Sequence, residues 1–370
     1  MFKKLLFLFI IFILIISCRR ATTRPTLDSI GSPPEDPNSP VIDVDPEPTP
    51  EPTPDPEFII IATDSEEEIE SKIQKYYEKH TKYAAFVEGS EEDIKQNNTL
   101  EKINTVITRN AYSEGISLDL SETTIIEIPD NSFYGNKYLS YVTLPETLTS
   151  IGNNVFGNAE KLIEINFPSA LTKIGEGAFR SCINLREVDL QYTKITTLSP
   201  QIFAYCDNLS KVVFPEGLLT IENSAFSYCV SLEEITLPEY FRTIGTFVFA
   251  ECTKLKKVNL NKNIKSIYHY AFYRCISLSS ISLPSSLMEL GIMGPEIFPD
   301  CTSLSDVEYL GTNPEAISCS GNVFDNSMPE NLYLPNVEEP ADPNMKEKWE
   351  KFLGYDWTDK IKYKQSIPIN

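Results

Sequence analysis

Leu209-Ser210-Lys211-Val212-Val213-Phe214-Pro215-Glu216-Gly217-Leu218-Leu219-Thr220-Ile221-Glu222-Asn223-Ser224-Ala225-Phe226-Ser227-Tyr228-Cys229 is one turn of a pattern that fills most of this chain. Leu209, Val212 and Phe214 form an apolar triplet that ends in period-two alternation, as in a strand with one buried face. Pro215 closes the strand, because it has no N–H to continue a ladder. Leu218 and Ile221 follow as a pair, then Phe226, then Cys229 three residues later. Outward from Phe226 the same phenylalanine recurs as Phe133, Phe156, Phe179, Phe203, Phe249, Phe272, Phe298 and Phe324, at spacings of 23 to 26 residues. The triplet travels with it (Leu185, Val188, Leu190; Leu232, Ile235, Leu237). So does the pair, as Leu148 and Ile151 or Leu171 and Ile174, and in many copies the proline, as Pro145, Pro168, Pro238 and Pro284.

A period in the twenties predicts a leucine-rich-repeat solenoid of about nine repeats over residues 116–335. One repeat is too small to bury its own apolar face, and stacked neighbours bury it for each other. Strands about 4.8 Å apart would build a parallel sheet about 40 Å long on the concave side. The phenylalanine sits on the return path and fills the interior.

Six cysteines stand three residues after the phenylalanine: Cys182, Cys206, Cys229, Cys252, Cys275 and Cys301. A metal site needs close pairs, and these are 23 to 26 residues apart. Disulfides suit an exported protein, but side chains on successive rungs point in parallel, against the geometry of a bridge. The favoured reading is a structural ladder of small buried thiols, repeated because the interior slot repeats. Cys319 lies outside the ladder and reads as a free thiol.

Ile174-Gly175-Glu176-Gly177-Ala178-Phe179-Arg180-Ser181-Cys182 resembles the signature of the BspA-like leucine-rich repeats. The resemblance covers residues 116–335. It implies a surface-exposed, often lipid-anchored protein of host-associated bacteria that binds host matrix or plasma proteins, or other cells. The repeats at Phe133, Phe156 and Phe324 lack the cysteine. Gln191 and Asn261 stand where proline is usual, and the last two repeats are lengthened to 26 residues. The ends of the array are therefore expected to be irregular.

The flanks carry their own signals. Lys3 and Lys4 precede an unbroken apolar run from Leu5 to Ile16, which as a helix is about 18 Å long, too short to span a bilayer. Residues 1–17 read as an export signal. Ile15-Ile16-Ser17-Cys18 resembles a lipobox, with Cys18 as the lipidated residue and the acyl chains as the only covalent group expected; no cofactor or metal is called for. An ordinary signal peptide with a cysteine nearby is the plainer alternative. Residues 18–56 hold eleven prolines, including Pro46-Glu47-Pro48-Thr49-Pro50-Glu51-Pro52, and read as an acidic extended linker. Residues 57–115 read as a helical N-terminal cap, with Ser65 and Glu68 as a capping box and a second helix through Leu100, Ile103, Val106 and Ile107. Residues 336–370 read as a C-terminal cap, with Asp342-Pro343 as N-cap and N1, Trp349, Phe352 and Leu353 as its apolar stripe, and Gly354 as C′.

Composition limits the function. The chain has 370 residues, 53 Asp+Glu against 32 Lys+Arg, and a net charge of -21, which argues against nucleic acid as a partner. Its two histidines, His80 and His269, lie in unrelated surroundings, and no serine elbow, phosphate loop or paired ligand set is present. The sequence therefore points to a monomeric binding protein rather than an enzyme. Its candidate site is the outward strand face. One column runs Tyr141, Glu164, Glu187, Lys211, Glu234, Lys257, Ser280 and Asp306, and the other Thr143, Asn166, Asp189, Val213, Thr236, Asn259, Ser282 and Glu308. Mixed charge on an extended surface suits a protein ligand. A cell-surface adhesin on the outer membrane is the leading expectation, and a periplasm-facing envelope-scaffolding lipoprotein is the alternative. Protease shaving of intact cells separates the two.

Overall fold

Each repeat makes one coil, and up to three backbone ladders tie it to the next. The computed structural model describes residues 55–291, 294, 296–319 and 321–368. The signal at 1–17, Cys18 and the proline-rich tract as far as Pro54 lie outside the described residues.

The first ladder is formed by the triplet strands, and every pairing in it is parallel. Ile59–Ile61, Tyr83–Gly89, Ile116–Thr123, Leu139–Thr143 and Glu164–Ile165 make one sheet. Glu187–Asp189 pairs with Lys211–Val213, and Glu234–Thr236 with Lys257–Asn259. Ser280–Leu283, Asp306–Tyr309, Asn331–Leu334 and Ile361–Tyr363 make another sheet. The single continuous sheet expected from the period is thus broken into four stretches. The middle strands are only two or three residues long, so the loss of one bond ends a ladder.

The second ladder joins two-residue strands at the Leu/Ile pair, such as Thr220–Ile221 to Thr243–Ile244. The third joins the phenylalanine turns. Phe133 N donates to Val155 O at 3.0 Å, Phe226 N to Val248 O at 3.0 Å, and Phe272 N to Ile297 O at 3.0 Å. These turns place residues two before and two after the phenylalanine at positive φ: Asn131 at 61° and Asn154 at 52°, then Asn158 at 60° and Ser181 at 60°. A non-glycine residue there costs roughly 1–2 kcal/mol, least for Asn. The conformation aims its N–H at the next coil, as from Asn158 to Arg180 O at 2.7 Å.

The interior is one hydrophobic cluster running from the first strands to the last helix. Nine phenylalanine rings stack along it, with successive centroids 5.3 to 5.7 Å apart. Trp357 meets the last ring, Phe324, edge-on at 5.7 Å and closes the stack.

The flanking segments are not purely helical, as the sequence had suggested. Helix α1 (Glu66–His80) has the expected capping box, with Glu68 N donating to Ser65 Oγ and Ser65 N to Glu68 Oε2. It lies between the parallel strands Ile59–Ile61 and Tyr83–Gly89. Helices α2 (Glu91–Gln96) and α3 (Thr99–Asn110) lead to Ile116–Thr123, and α3 buries Leu100, Ile103, Val106 and Ile107 as the spacing predicts. At the other end Asp342 caps α4 (Pro343–Glu350) through Asn344 N at 2.9 Å. The helix stops earlier than expected, with Lys351 as its C-cap. Gly354, at φ +70°, belongs to the next 3-10 turn, where a Cβ would stand 2.4 Å from the Gly321 carbonyl carbon. Ile361–Tyr363 then pairs with Asn331–Leu334. Both flanks add strands because a sheet end left open exposes unpaired N–H and C=O groups.

Candidate interaction surface

The register puts the two outward columns side by side. Tyr141 pairs with Glu164, Glu187 with Lys211, Glu234 with Lys257, and Ser280 with Asp306. In the second column Asp189 pairs with Val213, Thr236 with Asn259, and Ser282 with Glu308. Asp119 and Ser117, which the sequence reading did not include, extend the columns upstream by pairing with Thr143 and Tyr141.

Much of the charge on this face is consumed between coils. Lys211 Nζ lies 3.1 Å from Glu187 Oε2, and Lys257 Nζ 3.0 Å from Glu234 Oε1. Asn259 Nδ2 donates to Glu234 Oε1 at 2.7 Å and to Thr236 Oγ1 at 2.9 Å. The hydrogen bond from Lys257, then that from Asn259, holds the Glu234 carboxyl below its usual range. Asn166 spans to the previous coil, accepting from Leu144 N at 2.6 Å and donating to Leu144 O at 3.0 Å.

Toward the N-terminal end the face differs. Burial, then the neighbouring Glu187, pushes the Glu164 carboxyl up, and burial, then Glu164, pushes the Tyr141 phenol up. At the far end the expected column closes. Glu308 is buried, accepting from Ser282 Oγ at 2.6 Å and from Ile367 N at 3.3 Å. The tail passing over Glu308 removes that residue from the outward surface.

The thiols lie inside. All six ladder cysteines are free and fully buried. Each Sγ donates to the phenylalanine carbonyl of the preceding coil: Cys182 to Phe156 O at 3.1 Å, Cys206 to Phe179 O at 3.2 Å, Cys229 to Phe203 O at 3.2 Å, Cys252 to Phe226 O at 3.2 Å, Cys275 to Phe249 O at 3.1 Å and Cys301 to Phe272 O at 3.0 Å. A thiol is a weak donor, but it fits a small slot beside a carbonyl that already accepts a backbone N–H of its own coil, as Phe179 O does from Cys182 N at 3.2 Å, and gives that carbonyl a second partner. Ser327, three residues after Phe324, occupies the next slot and donates to Phe298 O at 2.5 Å. The repeat at Phe324 lacks the cysteine but keeps its hydrogen bond, and the offset of three was the signal for it. Burial pushes the Cys252 and Cys301 thiols up to about 12. Alkylation of the native protein at pH 8 should therefore leave all six unmodified, while the half-buried Cys319 reacts first. Mass spectrometry of a time course checks this, and early labelling of Cys229 would contradict it.

No catalytic grouping accompanies the columns. Among the described residues no cluster of three or more His, Cys, Asp or Glu could hold a metal. His80 stacks on Tyr76 at 4.3 Å, and His269 packs on Tyr270 at 3.7 Å with its Nδ1 3.4 Å from Glu296 Oε2. A cleft of about 430 Å³ is lined by Ile317, Cys319, Lys348 and Phe352, and Lys348 is already paired with Glu315 at 2.8 Å. Trp349 and Trp357 are both buried core residues. No helix among the described residues is long and apolar enough to cross a membrane.

Parallel triplet strands, stacked coils and a column of interior phenylalanines define a leucine-rich-repeat protein. More narrowly, the chain belongs to the BspA type leucine rich repeat family, whose model matches six copies over residues 102–232 and 219–340. No curated protein matches the chain significantly. Among solved structures it is similar to a leucine-rich repeat protein from Bacteroides ovatus, at 24% identity over 59% of this chain and 55% of that one, with a TM-score of 0.51. The chain thus spans little more than half the length of that relative. The pneumococcal vaccine antigen PcpA is similar at 17% identity over 69% of this chain and 79% of that one, with a TM-score of 0.40.

Proposed function

We propose that the chain is a lipid-anchored bacterial surface protein that binds protein ligands through its strand face. The face is taken as the concave side of the solenoid, with segments 57–115 and 336–370 as end caps. The observation that carries the reading is the pair of in-register outward columns, Tyr141 to Asp306 and Thr143 to Ser282, on parallel strands. They offer an extended polar surface of the kind solenoids use for contact. The partner class is a host matrix or plasma protein, or a protein on another cell, and the work is contact rather than catalysis. Ile15-Ile16-Ser17-Cys18 supports export and lipidation at Cys18, and several acyl chains together anchor stably where one does not.

The inter-coil ion pairs make a clean test. Exchanging Glu187→Lys with Lys211→Glu keeps a pair across the 3.1 Å contact but inverts the field, and Asp189→Lys completes the reversal. Affinity for immobilised plasma and matrix fractions should fall at least tenfold, with Tm unchanged within about 2 °C because exposed pairs contribute little to stability. Unchanged affinity would remove this face from consideration.

A further inference from the structure

The two ends of the strand ladder are finished differently. At the first strand, Ile59–Ile61, the Ile59 N–H goes to Pro56 O, and Ile61 N donates to Asp64 Oδ2 at 2.8 Å. Ile61 O in turn accepts from Asp64 N at 3.0 Å. That edge is closed by its own chain, as an edge strand needs to be if it is not to template another. The last strand, Ile361–Tyr363, stands at the end of its sheet and pairs only with Asn331–Leu334. Leu332 N donates to Lys360 O at 3.0 Å, and Lys364 N to Leu334 O at 2.9 Å. Alternation along the strand then turns the N–H and C=O of Ile361 and Tyr363 away from the sheet. Among the described residues no hydrogen bond reaches these four groups.

The side chains of this open edge form a pattern. Ile361 and Tyr363 are half-buried and pack against the core as its last apolar rung. Lys360, Lys362 and Lys364 alternate with them. Lys364 is held by Glu338 at 3.0 Å, and Lys360 donates to Pro329 O at 3.3 Å and to Tyr355 Oη at 3.0 Å. Lys362 has no ion-pair or hydrogen-bond partner among the described residues. A lysine on an edge commonly guards against strand addition, but the same charge attracts a strand that is acidic at the facing position. A strand that completes this edge therefore reads apolar, acidic, apolar beside Ile361, Lys362 and Tyr363.

We propose that the edge at Ile361–Tyr363 is a strand-addition site for the segment Val41-Ile42-Asp43-Val44-Asp45 of a second copy of this chain. The segment lies outside the described residues, and its sequence has the required alternation. Parallel pairing, as in every other rung, sets Ile42 beside Ile361, Asp43 beside Lys362 and Val44 beside Tyr363. Pro40 and Pro46 bracket the segment, and their missing N–H groups limit the added strand to these five residues. In such pairing the backbone bonds supply affinity and the alternate side chains specificity. The chain's own segment cannot reach this edge. The triplet ladder holds five, two, two and four strands in its four stretches, so twelve steps of about 4.8 Å separate its ends by about 58 Å. From Asp45 to Asp55 the chain spans about 36 Å at full stretch. The contact is heterologous, so copies add in a row or close as a reciprocal pair, and the monomer expected from the sequence is the dilute form.

The test uses the dilute full chain and a fluorescent peptide of residues 39–47. Binding should be saturable, and Lys362→Glu in the chain should weaken it at least tenfold. Asp43→Lys in the peptide should weaken binding to the parent chain equally and recover it on the Lys362→Glu chain, which a misfolded variant could not do. Val44→Pro in the peptide removes a ladder donor and should abolish binding whatever the chain variant does. In sedimentation velocity the sedimentation coefficient of the parent chain should rise with concentration, and that of Lys362→Glu should not. No saturable binding, equal binding by Lys362→Glu, or equal binding of the Val44→Pro peptide would each overturn the proposal. Peptide binding with a sedimentation coefficient independent of concentration would overturn the second copy as occupant.

Discussion

Phe226→Ala is expected to lower stability by about 3–5 kcal/mol, the usual cost of removing a buried phenylalanine. The ring is fully buried. It stacks between Phe203 at 5.5 Å and Phe249 at 5.7 Å and meets Phe214 edge-on at 5.9 Å. Each neighbour belongs to a coil that cannot collapse inward without shifting its own three ladders, so the cavity would remain. The effect should also be spatial. A solenoid is stabilised by nearest-neighbour interfaces, and a weakened middle coil divides the array into two blocks. Trp349 and Trp357 both lie near the C-terminus, so tryptophan fluorescence reports the second block while circular dichroism reports the whole chain. Urea transitions by the two probes should separate in the variant. A single coincident transition displaced by less than about 1 kcal/mol would show that the stack is not what holds the coils together.

Trp357→Ala should destabilise by a comparable amount, about 3–5 kcal/mol, through the end of the array rather than its middle. Trp357 is fully buried, edge-on to Phe324 at 5.7 Å and packed on Tyr355 at 4.8 Å. Its Nε1 donates to Phe352 O at 2.8 Å, and losing that bond adds about 0.5–1.5 kcal/mol, since Phe352 O still accepts from Tyr355 N at 3.3 Å. Without the indole the last phenylalanine faces water and the strand Ile361–Tyr363 loses its support. Limited proteolysis should then cut first beyond residue 335, and Trp357→Phe should recover most of the Tm. An unchanged cleavage pattern in Trp357→Ala would mean that the stack needs no closing residue.

The parts legible in the sequence were those encoded within a few residues. Ser65 and Glu68 foretold the start of α1, and Asp342-Pro343 the start of α4, because a cap is satisfied within three or four positions. The strand role of Leu-x-x-Val-x-Leu was plain for the same reason. The candidate columns were legible as columns, because alternation fixes which residues share a face. Their pairing was not. Whether Glu187 is free or held by Lys211 depends on two residues 24 positions apart meeting across a coil step, and single-coil patterning carries no such information.

The same division holds for the whole protein. The sequence alone determined the solenoid, its period and its phenylalanine interior, since a repeat too small to fold by itself has stacking as its one way to bury an apolar face. Only the tertiary structure decided where each inward thiol aims, that Ser327 takes the cysteine's place, that segment 57–115 lends two strands and segment 336–370 one to the sheets they join, and that the tail covers Glu308. These are contacts between coils or at the ends of the array, where register and unpaired edges set the outcome and no repeated pattern specifies it.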